Sequence, residues 1–239
     1  MKYYVGASGK SEYLRSPSGV PIIVDTIRAS STIIAALWNG ADRVIPVEDD
    51  REALQLGKDT GAVLIGERHG EKIEGFDLNN SPSAMMNMDI KGKAVVITTS
   101  NGTRIMVENG IIASTLNAGA VADHIKSSER AYLLASGSPE KSDEDLYTAK
   151  IIEIFLKKLN SGYTIDEAVY SSYHEHEYIS LLNAIYRSKS ADRIRSIGYG
   201  EDIRMIITSI NEYPIIPTYR DGVIKAIPVK HAAYHAGHP

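Results

Sequence analysis

Four short runs of apolar, mostly β-branched residues are each followed at once by side chains able to handle an anion or a metal ion. Ile22-Ile23-Val24 leads into Asp25-Thr26-Ile27-Arg28-Ala29-Ser30-Ser31, and Val63-Leu64-Ile65 leads into Gly66-Glu67-Arg68-His69-Gly70. Val95-Val96-Ile97 leads into Thr98-Thr99-Ser100-Asn101-Gly102-Thr103-Arg104, and Leu133-Leu134-Ala135 into Ser136-Gly137, with Asp143-Glu144-Asp145 shortly after. Between the second and third runs lies Gly75-Phe76-Asp77-Leu78-Asn79-Asn80-Ser81-Pro82. Asp25, Glu67 and Asp77 are hard oxygen donors of the kind Mg²⁺ prefers. Arg28, Arg68 and Arg104 carry guanidinium forks that match a phosphate or another oxyanion. Ser30-Ser31 and Ser100 to Thr103 fall where a strand gives way to a helix, where backbone N–H groups and the helix dipole favour an anion. Each residue alone has a plainer reading. Asp25 and the serines can cap helices, Asn101-Gly102 can be a turn, and a lone arginine is usually a solvated ion pair. Their concurrence after successive strands is what points to chemistry.

The elements that must position these groups alternate along the chain. Pro21 to Val24, Val44 to Val47, Val63 to Ile65, Ala94 to Ile97 and Tyr132 to Ala135 are continuous rather than alternating, which predicts strands buried on both faces. Helical patterns lie between them. Ser31 to Trp38 stops at Asn39-Gly40, Asp50 to Lys58 closes at Gly57 or Gly61, and Ala118 to Lys126 follows. This alternation predicts an α/β fold, a three-layer α/β/α arrangement with a mostly parallel sheet. In such sheets the carboxyl ends of the strands share one edge, and ligands bind there. After Ser136 the chain becomes more helical. Asp143 to Leu159 is amphipathic, Thr164 opens a second helical pattern with a capping box to Glu167 that runs through Ala184 toward Arg195, and Glu201 to Ser209 is a last helix. Asp221-Gly222 predicts a hairpin. Residues 1–239 read as a single domain, with a sub-lobe boundary allowed near Lys141.

Composition excludes several classes of function. The chain has 239 residues, 43% of them hydrophobic and 23% charged, which suits a sizeable packed core rather than disorder. A net charge of -4 offers no bulk attraction to nucleic acid or to an anionic membrane. With no cysteine there is no disulfide, no thiolate nucleophile and no Cys zinc site. The first sixteen residues have no apolar signal region, and no stretch approaches a membrane span, so the cytoplasm is the expected compartment. A P-loop, a dinucleotide fingerprint and a nucleophile elbow are all missing. His174 and His176 are two apart and diverge on a helix; His231, His235 and His238 read as a frayed terminus rather than a metal site.

In order along the chain, Asp25-x-x-Arg28-Ala29-Ser30-Ser31, Asn39-Gly40-Ala41, Gly66-Glu67-Arg68, Gly75-Phe76-Asp77-Leu78-x-Asn80-Ser81-Pro82 and Thr98-Thr99-x-Asn101-Gly102-Thr103-Arg104 resemble the 2-phosphosulfolactate phosphatases of coenzyme M biosynthesis. Ser136-Gly137 with Glu144-Asp145, and Gly200-Glu201-Asp202, extend the resemblance over almost the whole chain. It implies Mg²⁺-dependent hydrolysis of a small anionic phosphate monoester such as (2R)-2-phospho-3-sulfolactate, with Asp25, Arg28, Glu67, Arg68, Asp77, Asn101 and Arg104 lining the site.

The resulting expectations are specific. Asp25, Glu67 and Asp77 hold Mg²⁺. Asp25, Arg28 and Arg104 act on the phosphoryl group, and Glu144 or Asp145 supplies a proton to the leaving oxygen. Ser30, Ser31, Asn80, Ser100, Asn101, Gly102 and Thr103 contact substrate, and Arg68 takes the substrate's other anion. The partner is a small molecule; a homodimer is left open. Two other readings use the same residues: a non-catalytic binder of a phosphorylated metabolite, and a haloacid-dehalogenase-like phosphotransferase, which would want an acid where Ile27 stands.

Overall fold

Alternate residues of the central strands pack into different cores, so both faces of the sheet are covered. Ile23 and Leu134 join one apolar cluster, while Ile22, Val24, Leu133 and Ala135 join another on the opposite face. The computed structural model of the chain describes residues 2–137 and 143–227. Its strands are β1 (Lys2–Val5), β2 (Val20–Val24), β3 (Arg43–Pro46), β4 (Val63–Arg68), β5 (Glu71–Lys72), β6 (Ala94–Thr98), β7 (Ile111–Ala113), β8 (Ala131–Ala135), β9 (Ile216–Arg220) and β10 (Val223–Ile227). Its helices are α1 (Gly6–Arg15), α2 (Ala29–Trp38), α3 (Asp50–Thr60), α4 (Pro82–Met85), α5 (Ala118–Ile125), α6 (Asp143–Asn160), α7 (Ile165–Ser172), α8 (His176–Tyr186), α9 (Lys189–Ser196) and α10 (Gly200–Thr208). Short 3-10 turns cover Gly102–Ile105 and Thr115–Asn117.

The sheet order is β1-β8-β2-β7-β9-β10-β3-β6-β4-β5. Two parallel groups, β1-β8-β2-β7 and β3-β6-β4, are joined by the antiparallel β9–β10 hairpin. Each hairpin strand is also antiparallel to its outer neighbour, β7 or β3, so the second parallel group is opposite in sense to the first. Accumulated twist of about 20–25° per strand, roughly 100–125° from β2 to β6, swings the second group round. Its carboxyl ends therefore still face those of β2 and β8, and residues following all four strands line one cleft.

Helix α2 runs beneath this cleft with Ala29 to Leu37 all buried. Its uncharged sequence allows that burial, and Asn39 ends it by donating its amide to the carbonyls of Met85 and Met88, 2.9 and 2.7 Å. Asp49 caps α3 through the N–H groups of Arg51 and Glu52, and Gly61, left-handed at φ 68°, closes it. Gly57 stays inside that helix. The expected capping box at Thr164 and Glu167 is present. The long helical pattern beyond it is broken twice, at Tyr173–Glu175 and at Arg187–Ser188, giving α7, α8 and α9; Ser188 caps the last by accepting from the N–H of Ala191. Asp221 and Gly222 both take positive φ, 49° and 80°, as the expected two-residue hairpin requires.

Sequence pattern did not indicate β1, α1 and β7, nor the place of the hairpin in the middle of the sheet. The allowed boundary near Lys141 and the histidines at 231, 235 and 238 lie outside the described residues. Among the described residues no helix is long and apolar enough to cross a membrane.

Candidate active site

Asp25 is the first residue beyond β2, and the turn after it is built around its backbone and side chain. One carboxylate oxygen accepts from the N–H of Ala29 at 3.1 Å, and its carbonyl accepts from the N–H of Ser30 at 2.8 Å. The positive end of α2 is thus directed at Asp25 itself. Ser30 Oγ accepts from the N–H of Asp25, and Ser31 Oγ donates to the carbonyl of Thr26. Both serines are buried and neither lines the cleft, which corrects their expected role as substrate contacts. They hold the turn that presents Asp25.

The cleft, about 640 Å³, opens over this turn. Asp25, Glu67, Glu144 and Asp145 line it, as do Arg28, Arg68, Arg104 and Arg193. Asn80, Ser100 and Asn101, expected to contact substrate, line it too. Gly102 and Thr103 do not. Thr103 turns inward, its Oγ donating to the carbonyl of Thr99 at 3.2 Å. A Cβ at Gly102 would sit 2.6 Å from the Ala29 Cβ and 2.7 Å from a carboxylate oxygen of Asp25. Glycine is required there because the β6 loop closes directly on Asp25.

The four carboxylates divide by what they already hold. Glu67 ties two loops together: it accepts from the N–H of Ser100 (2.7 Å), the N–H of Gly70 (2.6 Å) and the Ser100 hydroxyl (3.2 Å). Asp145 ties the start of α6 to the ends of β2 and β8. It accepts from the N–H of Thr26 at 2.8 Å and from the N–H and hydroxyl of Ser136 at 3.2 Å. Glu144 has a lighter load, a hydrogen bond from Ser190. Burial pushes the Asp25 carboxyl up, and the charge of Glu67 adds to that. Asp145 is pushed well up by burial and then by Asp25 and Glu144. Glu144 rises for the same reasons, burial first, then Asp25 and Asp143. Like charges are therefore crowded at one end of the cleft.

Asp77 does not join them. It is exposed, one of its oxygens accepts from the N–H of Leu64 near the start of β4 at 2.8 Å, and it does not line the cleft. The expected triad of Asp25, Glu67 and Asp77 is not assembled, and among the described residues no group of three or more His, Asp or Glu side chains is disposed to hold a metal.

The arginines divide in the same way. Arg28 is buried, 3% exposed; it donates to Asp202 at 2.7 Å and to Asn79 Oδ1 at 3.2 Å, and stacks on the Tyr199 ring at 4.7 Å. Asp202, fully buried, also accepts from both Ser81 and Ser83 hydroxyls and from the N–H of Ser83. Arg68 is held by Asp50, by the carbonyls of Glu48 and Glu67, and by the Thr98 hydroxyl. Arg104 is exposed at the rim and has no carboxylate partner among the described residues.

Sequence reasoning missed Asp202, Ser136, Ser190 and Arg193 as working parts. Ser136 and Asp202 stood inside recognised segments without an assigned side-chain role. Ser190 and Arg193 lay on a short polar helix that gave no signal.

The family model described as 2-phosphosulpholactate phosphatase matches residues 9–222. A protein of Caldanaerobacter subterraneus named "Probable 2-phosphosulfolactate phosphatase" is 36% identical over 216 residues, covering 85% of this chain and 89% of that protein. A protein of the same printed name from Thermotoga petrophila is 37% identical over 207 residues, covering 84% of this chain and 89% of its own length. The chain belongs to the 2-phosphosulfolactate phosphatase family.

Proposed function

We propose that the protein is a Mg²⁺-dependent phosphatase of the cytoplasm that hydrolyses (2R)-2-phospho-3-sulfolactate to 3-sulfolactate and phosphate. The observation that carries this reading is a buried Asp25, crowded by other carboxylates, in the same cleft as Arg104, whose guanidinium has no carboxylate partner among the described residues. Excess negative charge beside an arginine suits a divalent cation and a phosphate bound together.

The residues present fit such a cation. Their donors are hard oxygens, and Asn80 Oδ1 is buried in the cleft wall with no hydrogen-bond partner among the described residues. Asp25 would hold Mg²⁺, with Glu67 beside it, since Mg²⁺ commonly takes one or two carboxylates and keeps water and substrate phosphate as its other ligands. When bound, the ion neutralises phosphoryl charge and lowers the pKa of water.

The protein's own groups do the rest. Arg104, with Arg28 in the cleft wall, binds phosphoryl oxygens and stabilises the loose transition state of monoester hydrolysis. A water oxygen bonds to phosphorus as the P–O ester bond breaks, and the electron pair leaves with the lactate oxygen. Glu144 gives that oxygen its proton, and the second proton of the attacking water, carried on the product phosphate, returns the Glu144 carboxylate to its acid form. Burial and the neighbouring charges of Asp25 and Asp143 keep its carboxyl protonated to higher pH than an ordinary glutamate. Asp145, both of whose oxygens hold backbone N–H or hydroxyl groups, positions the loops instead.

Two variants probe these roles. Arg104→Lys keeps the charge but loses the fork, and kcat/KM falls about 10–100-fold, with most of the loss in a weaker KM for phosphate esters. Glu144→Gln lowers kcat by about 10²-fold or more. A general acid works only while protonated, so wild-type kcat declines as pH rises through the raised value of Glu144, and this alkaline limb is absent from the glutamine variant. The direct test is phosphate release from 2-phospho-3-sulfolactate with Mg²⁺ and with EDTA. Release only with the metal supports the reading; none under either condition, with p-nitrophenyl phosphate also untouched, overturns it.

A further inference from the structure

The charge arrangement in the cleft leaves one guanidinium without a task. Four arginines line it, and two of them are already paired with carboxylates that do not line it: Arg28 with Asp202 and Arg68 with Asp50. Arg104 and Arg193 have no carboxylate partner among the described residues, and the phosphoryl group is assigned to Arg104 with Arg28, which leaves Arg193. The geometry points to Arg193 as the residue that binds the second acidic group of the substrate, a sulfonate or carboxylate, and so sets specificity for polyanionic phosphate esters over simple ones. This rests on the phosphatase reading above.

Arg193 stands on α9, and the site side of that helix is fixed to the β4–β5 turn. One Nη of Arg193 donates to the carbonyl of His69 at 2.5 Å, across 124 residues of sequence. The turn is a two-residue one in which His69 and Gly70 both take positive φ, 56° and 85°. Gly70 packs against α9: a Cβ there would lie 3.1 Å from Ile197 and 3.7 Å from Arg193 Nε. The same Gly70 donates its N–H to Glu67, and its carbonyl accepts from the Asn79 amide at 2.9 Å. The guanidinium is therefore seated against the loop that carries Glu67 and Arg68. One of its five N–H donors is used by His69, and the rest have no partner among the described residues. A preorganised fork of this kind matches the oxygens of a carboxylate or sulfonate.

The alternative candidate for this task, Arg68, is already committed to a carboxylate. Its Nη2 is shared among Asp50, the carbonyl of Glu48 and the Thr98 hydroxyl, and its Nη1 donates to the carbonyl of Glu67, so the fork is anchored away from a ligand and its release would leave Asp50 unpaired. The role expected of Arg68 moves to a helix that approaches from the other end of the chain.

The test is Arg193→Gln in the full-length protein, with Arg193→Lys as its conservative partner. The ratio of kcat/KM for 2-phospho-3-sulfolactate to that for p-nitrophenyl phosphate, which has no second acidic group, falls about 30-fold or more in the glutamine variant and less in the lysine variant. Calorimetric binding of 3-sulfolactate weakens at least tenfold in Arg193→Gln, while that of inorganic phosphate changes much less. An unchanged ratio, or equal losses on both esters with a lowered melting temperature, would assign Arg193 only to holding the His69 turn and overturns the inference. The binding arm needs no turnover, so a wild-type protein that hydrolyses neither ester contradicts the phosphatase reading while the role of Arg193 is still read from 3-sulfolactate affinity.

Discussion

Asp25→Asn lowers kcat on the order of 10³-fold or more while leaving the metal-free protein at least as stable as the wild type. The first half follows from the loss of the charge that would hold Mg²⁺ beside the phosphate. The second follows from the environment of the carboxylate. Asp25 is buried beside Glu67, and Asp145 is raised in turn by Asp25. A carboxyl raised on folding binds its proton more tightly in the folded state than in the unfolded chain. Its stabilising contribution is fully present below the ordinary carboxylate range and is lost as pH rises through the raised value. The metal-free wild type therefore melts lower at neutral than at mildly acid pH. Asparagine removes one of the interacting charges and flattens that dependence, while its Oδ1 can still accept from Ala29. Mg²⁺ reverses the effect: at about 100 times its Kd it adds ~2.7 kcal/mol, which at about 2–4 °C per kcal/mol is several degrees in a chain of this size. Melting curves at two pH values, with and without Mg²⁺, check each part. A wild-type melting temperature indifferent to Mg²⁺ would contradict the account, as would an asparagine variant that unfolds.

The second large effect is on stability. Asp202→Asn leaves the buried Arg28 guanidinium without its counter-charge and weakens acceptance from Ser81 and Ser83. Breaking one side of a buried pair costs about 3–5 kcal/mol, or a fall of roughly 6–20 °C in melting temperature. Replacing both partners behaves differently. An Arg28→Met, Asp202→Leu double variant recovers most of that stability, because no buried charge is left alone. It does not recover turnover, because the phosphoryl contact proposed for Arg28 is gone. Stability and activity thus separate, and parallel melting and phosphate-release measurements on the three proteins read the separation.

How much of this was legible in the sequence depended on distance along the chain. The buried strands announced themselves as apolar runs, and Asp25 could be read as the end of one. Residues close behind strand ends, such as Glu67, Ser100 and Ser136, could be placed on the shared edge without knowing the sheet order. Ser30, Ser31 and Thr103 were misread because a serine or threonine that braces a turn has the same local signature as one that touches a ligand. Asp77 was misread because its segment turns back along β4, which places it opposite Leu64 rather than at the Glu67 end of the strand. The roles of Asp202 and Arg193 could not be read locally. Their partners, Arg28 and His69, lie 174 and 124 residues away, and only docking of α9 and α10 against the cleft brings them together. The central position of the β9–β10 hairpin is likewise a property of the whole sheet, since a hairpin signal says nothing about which strands flank it.

The central claim is that one cleft holds metal and phosphate together at Asp25. Crystals grown with Mn²⁺ in place of Mg²⁺, and with inorganic phosphate, test it through anomalous scattering. The account predicts a manganese peak at bonding distance from an Asp25 carboxylate oxygen, with a phosphate between it and the Arg104 guanidinium. Manganese bound away from Asp25, or phosphate lodged elsewhere on the molecule, would contradict it.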